Sequence, residues 1–69
     1  MSNLSERMLA LRKSRGLKQK EAAELSGLSY MSYLRYERGE REPNVSALWK
    51  IADFYNVSVD YLIGRSDER

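Results

Sequence analysis

The sequence predicts an all-α domain, a compact five-helix bundle, and three observations carry that expectation. Glycines and capping residues punctuate the chain: Gly16, Gly27, Gly39 and Gly64 can stop short segments, and Ser29, Asn44 and Ser58 can start them. Within the segments, apolar residues recur at helical spacing. No stretch alternates apolar and polar residues for long, β-branched residues are few, and threonine is absent, so no strand is expected.

The elements follow in order. Ser5 is placed to cap a first helix, with Leu4, Met8 and Leu11 on one side and Gly16 at its end. "KQKEAAELSG" is rich in helix formers and stops at Gly27. Ser29 caps a third helix, which Gly39 ends. Pro43 and Asn44 open a fourth, where Val45, Leu48, Ile51, Ala52 and Tyr55 keep helical spacing, and Asn56 closes it. Ser58 caps a fifth helix that supplies Tyr61 and Leu62 before Gly64. One domain over residues 1–64 and a polar tail over 65–69, expected to fray, account for the chain.

Composition narrows the function. With 69 residues, a chain buries roughly 60% of its unfolded surface, leaving a thin core. Cysteine and histidine are both absent, which removes thiolate and imidazole metal ligands, Cys nucleophiles and the commonest general base. No close carboxylate pair shares an inward face, so neither an enzyme nor a cofactor is expected. The first residues carry Glu6 and Arg7 where a secretory signal needs an apolar run, and no stretch approaches the ~20 apolar residues of a membrane span. A cytoplasmic location, no membrane partner and no small-molecule ligand are the corresponding expectations. Net charge is +2, but residues 7–20 hold Arg7, Arg12, Lys13, Arg15, Lys18 and Lys20 without an acid. That run points toward an anionic partner or a solvated helix face, and charge alone does not choose.

The second and third helices choose. "SGLS" joins them tightly around Gly27, which suits the geometry of a helix-turn-helix. Ala23 is small enough for close helix approach, and Leu28 points inward to pin the turn. The stretch from Leu4 to Gly64 resembles the phage repressor and Cro-like helix-turn-helix proteins of bacteria, the xenobiotic-response-element type. The likeness rests on Gln19, Ala23, Gly27, Ser29, "RYERG" at 35–39, Pro43, "KIA" at 50–52 and "NVSVDYLIG". It implies sequence-specific binding of double-stranded DNA by a transcriptional regulator, expected to be a repressor.

The third helix fits that implication. At about 100° per residue, Tyr30, Met31, Leu34, Arg35 and Arg38 share one side, and Tyr33, Tyr36 and Glu37 the other. One face suits the protein core and the other the major groove. Tyr30, Met31, Leu34 and Arg35 are the candidate base readers. Arg35 sits where the relatives reach base edges, and arginine can donate two parallel hydrogen bonds to guanine. Leu34, usually small and polar in the family, either touches a thymine methyl or leans into the core. Lys18, Gln19, Ser29, Arg38 and Arg41 are the candidate phosphate contacts. Tyr33, usually isoleucine in the relatives, either packs inward with its hydroxyl partnered or slants to the rim to meet a phosphate.

Glu37 falls on the inward side, where an unpaired carboxylate is costly, and the resemblance pairs it with Arg12 as an internal ion pair. The likeness also implies a homodimer on a near-palindromic operator, and Phe54, Val59, Tyr61 and Ile63, which exceed what the thin core can absorb, are its candidate interface. A protein-binding co-regulator or antitoxin of the same fold is the rival reading.

Overall fold

A computed structural model describes residues 2–69. Met1, the first residue of the expected domain, lies outside the described residues. Five helices follow one another: α1 (Ser2–Ser14), α2 (Gln19–Ser26), α3 (Tyr30–Arg38), α4 (Val45–Tyr55) and α5 (Val59–Leu62). The described residues contain no strand.

The caps explain where most helices begin. Ser29 Oγ accepts from the Ser32 N–H at 3.1 Å, Asn44 Oδ1 from Ala47 at 2.8 Å, and Ser58 Oγ from Tyr61 at 3.0 Å. Each satisfies one of the N–H groups that a helix start leaves without an intrahelical acceptor. Asn56 ends α4 in the left-handed region at φ 56°. Gly27 ends α2 at φ 80°, and its N–H turns back to the carbonyls of Ala23 and Glu24. That closed turn lets the chain reverse from α2 into α3 within three residues, a conformation only glycine adopts without strain.

Leu4, Met8 and Leu11 of α1 enter one core with Ala22, Ala23, Tyr33, Tyr36, Ala47, Ile51, Ala52, Tyr55 and Leu62. The small Ala22 and Ala23 are fully buried, which allows α2 to lie close to its neighbours. Leu17 and Leu28 pack against this core from the two ends of α2.

Three expectations need correction. Ser5 does not cap α1, because the helix already runs from Ser2 and Ser5 lies inside it. Val45 is 68% exposed, and Ala47 holds the buried place in the first turn of α4. As the first residue of its helix, Val45 stands ahead of the stripe that packs. The polar tail is docked on the domain. Arg7 Nη1 donates to the carbonyls of Tyr61 and Ser66 at 2.7 Å each, and its Nη2 meets Asp67 Oδ1 at 2.9 Å. The Arg7 guanidinium lies 4.1 Å from the Tyr61 ring centroid, and the Ser58 N–H donates to the Arg69 carbonyl at 3.1 Å.

Candidate nucleic-acid interface

Helix α3 is held from behind. Tyr33, Tyr36 and Glu37 are its buried residues, one polar and two aromatic. Tyr33 is fully enclosed, which rules out a slant to the rim, and its hydroxyl shares a 2.5 Å hydrogen bond with the Tyr55 hydroxyl of α4. Burial pushes the Tyr33 phenol above its ordinary range, and the bond to Tyr55 adds to the shift. Burial raises Tyr55 as well, partly opposed by the hydrogen bond from Tyr33. Both phenols therefore stay neutral and locked as a pair, so α3 is tied to α4 through the core.

The structure brings Arg12 and Glu37 together across α1 and α3. Arg12 Nε donates to both Glu37 oxygens, at 3.1 and 2.9 Å, and Nη2 to Oε1 at 2.9 Å. Arg12 Nη1 donates to the Leu17 carbonyl at 2.8 Å. Hydrogen bonding to Glu37 raises the Arg12 pKa further, against the opposing effect of burial. Gln19, the first residue of α2, joins the same carboxylate with Nε2 at 3.1 Å from Glu37 Oε1. Sequence reasoning made Gln19 a candidate phosphate contact but did not link it to Glu37, because that link depends on side-chain reach across two helices.

The opposite side of α3 faces solvent. Tyr30 is 43% and Met31 54% exposed, and Arg35 and Arg38 are exposed too. Leu34 is half-buried at the boundary between the two faces. Ser29 is exposed but spends its oxygen as the cap acceptor, leaving its O–H as a donor. Lys18 and Arg41 are exposed, and among the described residues no ion pair engages the side chains of Lys18, Arg35, Arg38 or Arg41. Free cations beside two exposed, unpartnered hydrophobic residues form a surface able to meet both phosphates and base edges.

The four residues assigned to a dimer interface are all half-buried. Phe54, Val59 and Tyr61 pack against the core, and arginines lie over two of the rings: Arg15 at 5.3 Å from the Phe54 centroid and Arg7 on Tyr61. Ile63 lines a groove with Leu4, Pro43, Leu48 and Glu42. Trp49 was not singled out by the sequence reading, yet it is 58% exposed, one turn after Val45 on α4. The stripe that predicted the core of α4 passes to one side of it.

A glycine-hinged pair of short helices, the second with a buried back and a cationic, partly apolar front, defines a DNA-binding helix-turn-helix domain. The family model for HTH_3, helix-turn-helix, matches residues 8–62, and the chain belongs to that family. It is 38% identical over 65 residues to the HTH-type transcriptional regulator ImmR of Bacillus subtilis (strain 168), covering 94% of this chain and 51% of that protein. The chain thus spans about half the length of that relative. Its fold is similar to the P22 c2 repressor crystallised in complex with a synthetic operator: TM-score 0.80, 32% identity, covering 86% of this chain and 89% of that one. It is also similar to the restriction-modification controller protein C.AhdI of Aeromonas hydrophila, with TM-score 0.79, 30% identity, and 87% and 91% covered. These relatives are regulators, and the family is not an enzymatic one.

Proposed function

We propose that this chain is a cytoplasmic transcriptional repressor that lays α3 in the major groove of an operator. The observation that carries the reading is the exposed face of α3, where Tyr30, Met31, Arg35 and Arg38 stand clear of the core while Tyr33, Tyr36 and Glu37 hold the helix from behind. Tyr30, Met31, Leu34 and Arg35 read bases. Lys18, Gln19, Ser29, Arg38 and Arg41 contact phosphates, with the positive end of the α2 dipole adding favourable charge. The likeness to a repressor crystallised on an operator supports the same reading.

Two copies occupy a near-palindromic site, and Phe54, Val59, Tyr61 and Ile63 meet across the twofold axis. Selection of duplexes from a random pool tests the proposal. A recovered palindrome, bound with an affinity that falls steeply as salt rises, is the expected result. Arg35→Ala should then lose about 1–3 kcal/mol on the selected site and little on an unrelated duplex. Recovery of no preferred sequence overturns the reading.

The exposed Val45 and Trp49 on α4 favour a second reading, that of a protein-binding co-regulator of the same fold. Pull-downs with and without nuclease separate the two, since a DNA-bridged association disappears on digestion.

A further inference from the structure

Glu37 has one more hydrogen bond than its ion pair requires. Arg12 supplies three, and the fourth comes from Gln19 Nε2 to Oε1 at 3.1 Å. The Glu37 side chain is only 4% exposed, so its carboxylate is fixed in plane by the guanidinium fork. An ionised carboxylate accepts hydrogen bonds and donates none, so the Gln19 carboxamide can meet it only with its nitrogen. Among the described residues, Gln19 Oε1 and the second Nε2 hydrogen have no partner. The residue stands half-buried at the first position of α2, beside the exposed Lys18.

We infer that Glu37 is a positioning residue for DNA binding that acts through Gln19, an inference resting on the reading of α2 and α3 as the DNA-contacting pair. The carboxylate sets which edge of the Gln19 amide faces outward: one N–H donor for a phosphate oxygen, and one carbonyl acceptor beside it. A glutamine side chain left free would lose several rotatable bonds on contacting DNA, and the bond to Glu37 removes part of that loss in advance. Arg12 makes the arrangement tolerable to the DNA. A lone carboxylate this close to the surface would repel phosphates, whereas the bidentate guanidinium cancels its charge. The same carboxylate thus joins α1 to α3 and orients the start of α2.

The test combines an NMR signature with a binding cycle on the selected duplex. In the free wild-type protein, one of the two Gln19 side-chain amide protons should exchange slowly and resonate apart from the other, and Glu37→Gln, which keeps one acceptor oxygen but loses the charge that strengthens the bond, should reduce that difference. Glu37→Gln should weaken duplex binding by about tenfold with Gln19 present and by less than about twofold in a Gln19→Met background. Equal losses in both backgrounds, or no loss in either, overturn the inference. Should Glu37→Gln fail to fold, Gln19→Asn serves instead. It keeps the amide but is too short to span Glu37 and DNA, so it should bind as weakly as Gln19→Met, and wild-type affinity would overturn the inference. A wild-type protein that binds no duplex fails the underlying reading itself, whereas sustained wild-type binding with equal losses fails only the role of Glu37.

Discussion

Two buried polar pairs hold α3 at its back, and each makes a separate demand on the chemistry of the chain. The Arg12–Glu37 pair removes two charges from water, so its parts are worth little alone. Arg12→Ala strands a carboxylate that is almost wholly enclosed, which typically costs about 3–5 kcal/mol. Denaturant titration of Arg12→Ala, Glu37→Ala and the double variant should show strong coupling, and additive losses below about 1 kcal/mol would disprove it. The Tyr33–Tyr55 pair responds to pH instead. Burial holds both phenols above their ordinary values, while in the unfolded chain each ionises near pH ~10. The folded state therefore keeps protons that the unfolded state releases. Stability is intact below pH ~10 and falls as pH rises beyond it, by up to about 2.7 kcal/mol per pH unit if both groups contribute fully. Tyr33→Phe should flatten that decline to roughly half and cost about 1–3 kcal/mol at neutral pH, because the Tyr55 hydroxyl loses its partner. Urea titrations on either side of pH ~10 measure both quantities, and an unchanged slope in the variant contradicts the assignment.

At the scale of elements, the turns decide where helices meet, and not all glycines carry equal weight. Gly27 and Gly64 both sit in the left-handed region, at φ 80° and 86°. A methyl added at Gly27 would meet only the Lys50 side chain, at an ordinary 4.0 Å, so Gly27→Ala should cost little beyond the backbone strain of about 1 kcal/mol. At Gly64 the same methyl would lie 2.6 Å from Asn3 Cβ, and the first turn of α1 would have to shift. Gly64→Ala should therefore lower the melting temperature more than Gly27→Ala, and the reverse order would show that α1 yields easily there.

Elements also mark what the sequence could disclose. Met8, Ile51 and Leu62 were legible because a buried stripe needs only spacing and apolar letters, and the caps at Ser29, Asn44 and Ser58 because their side chains bond three residues on. The same spacing rule enlisted Val45, where the helix has only begun, and passed over Trp49. The docking of Arg7 on the tail joins residues 54 to 60 positions apart, and no local pattern encodes contacts of that range. Likewise, spacing put Gln19 at a helix start but could not disclose which edge of its amide turns inward.

For the whole molecule, the proposed assembly follows from how little surface one copy offers. A single α3 presents few of the proposed base-reading side chains, and a stable dimer in free solution usually buries about 800 Å² per partner. Phe54 and Tyr61 are partly spent inside their own chain, beneath Arg15 and Arg7, which leaves Val59, itself packed against the core, and Ile63 as the other apolar members of the proposed interface. Such a surface is too small to hold two copies together unaided, so pairing should depend on the operator aligning them. The free protein should sediment as a monomer at micromolar concentration, while two copies bind the selected palindrome cooperatively. Val59→Glu tests the geometry directly. Glutamate suits the first turn of α5, where it complements the helix dipole, but a twofold axis would set two such carboxylates near one another. Cooperativity should disappear while affinity for an isolated half-site stays within about twofold, since each reader helix keeps its own contacts. Unchanged cooperativity would place the contact between copies elsewhere on the domain.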